Sequence, residues 1–192
     1  MAVEVVVFDV GETLIDETMM WTRAAQVAGV TPFTLMGVLG GLIARGRRHD
    51  EVWDVLGVAH PASTWEEDDW YPDALPCVAR LRDAGYRVCA VGNTPEFVEQ
   101  DLGRRLEVLG SSERWGVAKP EPAFFARVVQ AVDTVPDKIV YVGDRVDNDV
   151  APALAAGMVA VHIRRGPWGF LHDPPPAAIR VASLDELPGA LP

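Results

Sequence analysis

The hydrophobic positions of the chain fall into two alternating patterns, short β-branched runs and longer segments with helical spacing. The run Val5–Phe8 is apolar throughout, which is typical of a strand buried on both faces of a parallel sheet. Further runs of this kind predict strands at residues 87–91, 108–109, 139–142, 159–163 and 178–181. Because these strands alternate with helical segments, the pattern predicts an α/β fold with a parallel sheet and right-handed crossovers.

One stretch, residues 16–71, lacks strand alternation and has helical spacing instead. We interpret it as a small helical insertion between two core segments, residues 1–15 and 72–192. Within the insertion, the spacing predicts helices at residues 19–27, 33–45 and 50–56, and a loop at 61–69. In the second core segment we predict helices at residues 72–84, 95–106, 120–132, 149–156 and 184–187, and loops at 111–119 and 164–176.

The composition fits one globular domain with a modest insertion. The chain has 192 residues, of which 49% are hydrophobic and 23% charged. Its net charge of −11 argues against a nucleic-acid partner held by a basic face. The apolar run at residues 32–44 is too short to span a bilayer of roughly 30 Å, and no basic region precedes an apolar stretch at the start. We therefore expect a cytoplasmic protein without a membrane or nucleic-acid partner; the sequence does not indicate its oligomeric state.

Three carboxylates lie at or near the ends of predicted strands. Asp9 and Asp144 come soon after buried runs, and Asp149 follows Asp144 in the same loop. Because the carboxyl ends of parallel strands meet at one edge of a sheet, we expect these carboxylates to gather there. Crowded carboxylates repel one another unless a cation lies between them, and ligands that are all oxygen suit a hard cation such as Mg²⁺. The pattern therefore predicts a magnesium site.

Other polar residues expected at this edge are suited to an anion. Lys119 is a point charge able to neutralise a nucleophile and a phosphate. Thr94, followed by Pro95, has the character of a helix start, where free N–H groups form an anion site. With a metal ion, these groups fit phosphoryl transfer, which depends mainly on positioning and on charge stabilisation.

Four motifs in this order resemble the haloacid dehalogenase (HAD) superfamily of hydrolases. They are Phe-Asp-Val-Gly-Glu-Thr-Leu at residues 8–14, Val-Gly-Asn-Thr-Pro at 91–95, Val-Ala-Lys-Pro-Glu-Pro-Ala-Phe-Phe at 117–125 and Val-Gly-Asp-Arg-Val-Asp-Asn-Asp at 142–149. The resemblance extends from residue 3 to residue 165 and places the insertion where the family has a helical cap. It implies a Rossmann-like core and points to the phosphatase-like branch of the superfamily.

The resemblance also implies roles for individual residues. Asp9 is the implied nucleophile, which attacks phosphorus in line and forms an acyl-phosphate. Mg²⁺ is implied to be held by Asp9, Asp144, the backbone carbonyl of Gly11 and, through water, Asp149. The groups expected to bind or neutralise the substrate phosphate are Lys119, Gly92, Asn93 and Thr94.

The chain departs from the phosphatases of this superfamily at two positions. Those enzymes usually carry a second aspartate two residues after the nucleophile, as general acid and base, where this chain has Gly11. They usually have Ser or Thr to bind phosphate where this chain has Gly92. Loss of a positioned acid or base lowers a rate by roughly 10²–10⁴-fold, so we expect slow turnover. Glu12 could replace the missing acid in part, or it could be only a loop acid.

The remaining basic residues have two interpretations. A cluster near the predicted second helix could reach an anionic substrate or form a solvated helix end; its members are Arg45, Arg47, Arg48 and His49. Arg164 and Arg165 are interpreted as surface charge after a strand.

The resulting interpretation is a Mg²⁺-dependent phosphatase-like hydrolase that acts on a small phosphorylated metabolite. Two alternatives stay open. One is a metal-independent 2-haloacid dehalogenase, because a halide leaving group does not need the proton that the missing acid would supply. The other is a binding or regulatory protein that kept the fold but lost the reaction.

Overall fold

A single parallel sheet forms the centre of the computed structural model, which describes residues 2–62 and 65–192. Its strands are β1 (Val5–Phe8), β2 (Arg87–Gly92), β3 (Glu107–Ser111), β4 (Ile139–Gly143), β5 (Val159–Ile163) and β6 (Ile179–Val181). They pair in the order β3-β2-β1-β4-β5-β6. This confirms the predicted α/β fold. Met1 of the first predicted core segment and residues 63 and 64 of the predicted 61–69 loop lie outside the described residues.

Helices connect the strands and cover the sheet. They are α1 (Thr18–Val27), α2 (Pro32–Ile43), α3 (Glu51–Leu56), α4 (Ala74–Asp83), α5 (Phe97–Gly103), α6 (Ser112–Trp115), α7 (Pro122–Val132), α8 (Ala151–Ala155), α9 (Gly166–Leu171) and α10 (Leu187–Ala190). A turn of π-helix, Val146–Val150, leads directly into α8. Helices α1, α2 and α3 lie in the segment interpreted as an insertion, and its treatment as a separate unit stays a prediction.

The residues of β1 are all apolar because both faces of the strand are buried. Val6 and Phe8 pack in one core cluster with residues of α4 and α5, whereas Val5 and Val7 pack in another with residues of α7 and α8. Both faces of the strand are therefore covered, as in other parallel sheets. A third cluster holds the first three helices together and includes Leu39 of α2.

Helix α9 corrects the predicted loop at residues 164–176. Its first turn contains Pro167, and its Trp168 side chain is buried in the third core cluster together with residues of α2 and α3. A helix of six residues is too short to show a helical period, so its formation depends on this tertiary contact. The predicted loop at residues 111–119 likewise contains a short helix, α6, whose N-cap Ser111 accepts a hydrogen bond from Arg114 N.

Arg165 is buried, so its interpretation as surface charge is wrong, whereas Arg164 is exposed. The Arg165 guanidinium donates to both carboxylate oxygens of Asp73, at 3.1 and 2.5 Å, and to the carbonyl of Thr13 at 3.1 Å. It also lies 4.1 Å from the ring centroid of Tyr71. We call these contacts the Arg165 network; they connect the loop after β1 to the start of α4 and to the loop after β5.

No single helix among residues 2–62 and 65–192 is long and apolar enough to cross a membrane. Helices α1 and α2 together have the length and apolar composition of a membrane span, but they meet at a bend of 113°. Four apolar side chains of α2 are buried within the protein: Leu35, Leu39, Leu42 and Ile43.

Candidate active site

The order of the strands places a crevice between β1 and β4. The chain proceeds from β1 to β2 on one side and from β4 to β5 on the other, and ligands of such sheets bind at the carboxyl ends of the strands where this reversal occurs. Asp9 directly follows β1, and Asp144 directly follows β4. Both line a pocket of about 150 Å³, together with Gly11, Glu12 and Lys119. The structure therefore brings most of the predicted site residues together.

Three buried carboxylates and one lysine form a cluster at this pocket, and all of them except Asp149 line it. Carboxylate oxygens of Asp9, Asp144 and Asp149 all lie within 4.8 Å of one another. The Lys119 Nζ atom donates to Asp9 Oδ1 at 2.5 Å and to Asp149 Oδ1 at 2.6 Å. Asp149 approaches closely because Gly143 has no side chain: a Cβ atom there would lie 2.5 Å from the Cβ of Asp149.

The charges of this cluster perturb one another. Burial and the neighbouring Asp149 and Asp9 raise the pKa of Asp144 well above its ordinary value. Burial and Asp9 raise the pKa of Asp149 to about 7, although Lys119 acts in the opposite direction. Burial alone would lower the pKa of Lys119, but Asp149 and Asp9 outweigh it and hold that pKa well above its ordinary value. One ammonium group therefore does not balance three carboxylates.

Asn93 holds Lys119 in position. Its side-chain Nδ2 donates to the carbonyl of Lys119 at 2.9 Å, and its Oδ1 accepts from the Lys119 backbone N–H at 2.8 Å. Thr94 lines the pocket beside Asn93, although α5 begins only at Phe97, two residues after the predicted start. The sequence predicts that Asn93 binds phosphate but gives no sign that it positions Lys119.

Gly92 lies against the proposed nucleophile. A Cβ atom on Gly92 would lie 3.4 Å from Asp9 Oδ1 and 3.1 Å from a methyl group of Val10. A side chain at this position would therefore contact Asp9 directly, but it would also require Val10 to move slightly. A role for Gly92 in binding phosphate stays a prediction.

Glu12 is fully engaged by its neighbours. Its Oε1 atom accepts from the backbone N–H of Glu17 at 3.0 Å, and its Oε2 atom accepts from the Tyr71 hydroxyl at 2.6 Å. The backbone of Glu12 has a φ of 51°, which lies in the left-handed region. The φ of Gly11 does not lie in that region. These contacts hold the loop after β1, and a catalytic role for Glu12 stays a prediction.

Glu17 lines the pocket and was not identified from the sequence. Its Oε2 atom accepts from the indole N–H of Trp21 at 3.1 Å. Burial of its carboxyl group and the negative charges of Glu12 and Asp9 raise the pKa of Glu17 to about 7. The only signal in the sequence is an acid just before a predicted helix, which is common and carries no specific meaning.

Arg45 and Arg48 lie outside the pocket lining. Arg45 donates to the carbonyl of Gly41 at 2.7 Å, and Arg48 is paired with Asp50 at 2.5 Å. Both are exposed, and their role toward a substrate stays a prediction. Their neighbour His49 does line the pocket.

Arg145 is a second basic residue of the pocket that was not singled out from the sequence. Its guanidinium lies 4.8 Å from the ring centroid of Trp168 and forms an ion pair with Asp147 at 2.7 Å. Its contact with Trp168 involves α9, which the sequence did not predict.

The Rossmann-like sheet carries a carboxylate-rich site and a lysine at its carboxyl edge, which is the arrangement expected from the resemblance to the HAD superfamily. Residues 3–157 match the family model described as haloacid dehalogenase-like hydrolase. The chain belongs to this family.

Several curated relatives share part of this sequence. Glyceraldehyde 3-phosphate phosphatase of Methanopyrus kandleri is 36% identical over 104 residues, which are 51% of this chain and 45% of the relative. The enzyme of the same name from Methanocaldococcus jannaschii is 36% identical over 61% of this chain and 54% of its own length. The chain thus spans about half the length of these two relatives.

Solved structures agree with the fold over nearly the whole chain. A HAD phosphatase from Thermococcus onnurineus is 21% identical, with a TM-score of 0.63 and coverage of 97% of this chain and 96% of the other. A dehalogenase is 20% identical, with a TM-score of 0.72 and coverage of 98% and 97%. At these identities the likeness establishes the fold.

Proposed function

We propose that this protein is a phosphatase that hydrolyses a small phosphorylated metabolite through an aspartyl-phosphate on Asp9. The observation that carries the proposal is the direct contact of Asp9 with Lys119, beside two further buried carboxylates at the carboxyl edge of the sheet. The names of the two phosphatase relatives support this proposal. A pocket of about 150 Å³ suits a small substrate.

The carboxylates fit a Mg²⁺ ion. Their oxygens converge within 4.8 Å, and the buried Oδ2 atom of Asp144 has no hydrogen-bond partner among the described residues. Hard oxygen ligands of this kind suit Mg²⁺, and we propose Asp9, Asp144, the Gly11 carbonyl and, through water, Asp149 as the residues that hold it. When bound, Mg²⁺ would neutralise charge on the oxygens of the transferring phosphoryl group.

The protein groups have separate tasks in the proposed reaction. A carboxylate oxygen of Asp9 attacks phosphorus, and the bond from phosphorus to the leaving oxygen breaks. Lys119 keeps Asp9 oriented and carries positive charge beside the transferring group, and Asn93 holds Lys119. Water then attacks the aspartyl-phosphate, which releases phosphate and restores Asp9. We propose that Gly92 and Thr94 contact the phosphate.

Phosphate release from a panel of small phosphorylated metabolites, with Mg²⁺ and with EDTA, tests this function. We expect release only with the metal. Halide release from a 2-haloacid in EDTA would instead support the dehalogenase alternative. Absence of any turnover, with Mg²⁺ binding observed, would support a binding or regulatory protein.

Mg²⁺ is expected to raise the thermal stability of the protein, because it relieves the repulsion among the three carboxylates. A ligand that binds only the folded state stabilises it by roughly 2.7 kcal/mol at a hundredfold excess over its Kd. Melting curves in EDTA and in millimolar Mg²⁺ measure the effect. Asp144→Asn should abolish the shift, whereas Asp68→Asn, an exposed acid, should retain it. Identical curves for the unmodified protein in both buffers would contradict an assembled metal site.

A further inference from the structure

The carboxylate of Glu17 occupies the space beside Gly11. A Cβ atom on Gly11 would lie 2.3 Å from Glu17 Oε1 and 3.0 Å from Glu17 Cδ. No side chain therefore fits at position 11 while Glu17 keeps this place. Gly11 is also not among the glycines in the left-handed region, so its backbone conformation alone does not require glycine. The Glu17 carboxylate would have to move before position 11 could carry a side chain.

Two hydrogen bonds hold Glu17 in this place. Its backbone N–H donates to Glu12 Oε1 at 3.0 Å, and its Oε2 atom accepts from the Trp21 indole at 3.1 Å. Among the described residues, no hydrogen bond engages Glu17 Oε1, the atom that lies against Gly11. One carboxylate oxygen is thus fixed, and the other is available to a bound molecule.

The other carboxyl groups that line this pocket, within the described residues, have another proposed task or already accept hydrogen bonds. Asp9 is paired with Lys119, and Asp144 belongs to the carboxylate cluster suited to a metal. Both oxygens of Glu12 accept hydrogen bonds. Glu17 is therefore the lining acid with an oxygen left for proton transfer at the leaving group.

We propose that Glu17 is the general acid and base of the phosphatase reaction, supplied from the start of α1 instead of from position 11. The inference rests on the proposed function. In the first step Asp9 attacks phosphorus, the ester P–O bond breaks, and the Glu17 proton passes to the leaving alkoxide. In the second step Glu17 takes a proton from the attacking water, the bond from phosphorus to Asp9 breaks, and phosphate leaves.

Glu17→Gln tests the proposal, because the amide keeps the size of the side chain but cannot exchange the proton. With glyceraldehyde 3-phosphate, which is an alkyl ester, the kcat/KM of Glu17→Gln should be lower than that of the unmodified protein by roughly 10²–10⁴-fold. With para-nitrophenyl phosphate, whose leaving group needs no proton, the variant should still release a burst of one nitrophenolate per enzyme. Turnover should then slow, and intact mass should show a phosphorylated protein. Glu96→Gln, an exposed acid, serves as the control.

A swap of positions provides a second, independent variant. Glu17→Ala combined with Gly11→Asp places a carboxylate in the same space from the other side and should regain alkyl ester turnover relative to Glu17→Ala alone. Gly11→Asp by itself should bring no gain, because the two carboxylates compete for one volume. The swap failing to rescue, or Gly11→Asp alone raising alkyl turnover, would contradict the assignment of Glu17.

The proposed function and this inference fail in different ways. If Asp9→Asn and the unmodified protein release phosphate equally from both esters, the phosphatase proposal itself is wrong. If turnover depends on Asp9 but Glu17→Gln hydrolyses the alkyl ester at the unmodified rate, only the assignment of Glu17 is wrong.

Discussion

Asp9→Asn is expected to remove phosphate release entirely while the protein keeps its fold. Asparagine matches aspartate in size, so the packing around β1 is retained, but an amide is a poor nucleophile and a poor metal ligand. Lys119 also loses one of its two carboxylate partners. Steady-state phosphate release from the best substrate of the metabolite panel measures the effect, and circular dichroism confirms the fold.

The matched control for this variant is Asp83→Asn at the exposed end of α4, which should retain full activity. Intact mass after reaction adds a direct observation, because only a protein with Asp9 should acquire a phosphoryl group. Turnover by Asp9→Asn at the unmodified rate would mean that Asp9 is not the nucleophile.

Asp73→Ala is expected to lower the free energy of unfolding by about 3–5 kcal/mol, the usual effect of removing one partner of a buried ion pair. Arg165 would stay buried at the end of β5 without its carboxylate. The hydroxyl of Ser183 and the backbone N–H of Leu184 would lose the same acceptor, at 2.7 and 2.9 Å. Urea unfolding followed by fluorescence measures the difference.

Asp185→Ala provides the comparison, because it removes the exposed ion pair between Arg80 of α4 and Asp185. The side chains of that pair are 44% and 62% exposed, and ion pairs in contact with water contribute little to stability. Comparable losses in the two variants would contradict the importance assigned to the Arg165 network.

The effect of Asp73→Ala should also depend on pH. Burial alone would raise the pKa of Asp73, but hydrogen bonds from Arg165, Ser183 and Leu184 outweigh it and hold the pKa below its ordinary value. The stability that Asp73 contributes is therefore present above the ordinary aspartate pKa of about 3.9 and is lost as pH falls through the lower, folded-state pKa. The difference between the two proteins should shrink in that acid range.

The buried strands could be predicted from the sequence because a strand covered on both faces has a local signature. The apolar run of β1 and the similar runs of β2, β4 and β5 can be recognised from neighbouring residues in the sequence alone. Asp9 and Asp144 could be placed near each other for the same reason, since the end of a strand is a local feature and the sheet brings the ends together.

Other features depend on contacts between distant parts of the chain and have no local signature. Arg165 follows a strand, where a basic residue is ordinarily solvated, and only the fold places Asp73 opposite it. Helix α9 is ordered by the burial of Trp168 among residues of the first three helices. Glu17 stands out only because its carboxylate lies against Gly11, and this contact cannot be read from the spacing of residues in the sequence.

The shared volume of Gly11 and Glu17 has a consequence for how this site can change over evolutionary time. Because Glu17 Oε1 lies in the space that a Cβ atom at position 11 would need, the effect of a substitution at one position should depend on the residue at the other. If position 11 changes to aspartate first, the new side chain clashes with Glu17. If Glu17 is lost first, the site has no general acid. The two arrangements are therefore separated by a less active intermediate, and related sequences should carry one or the other.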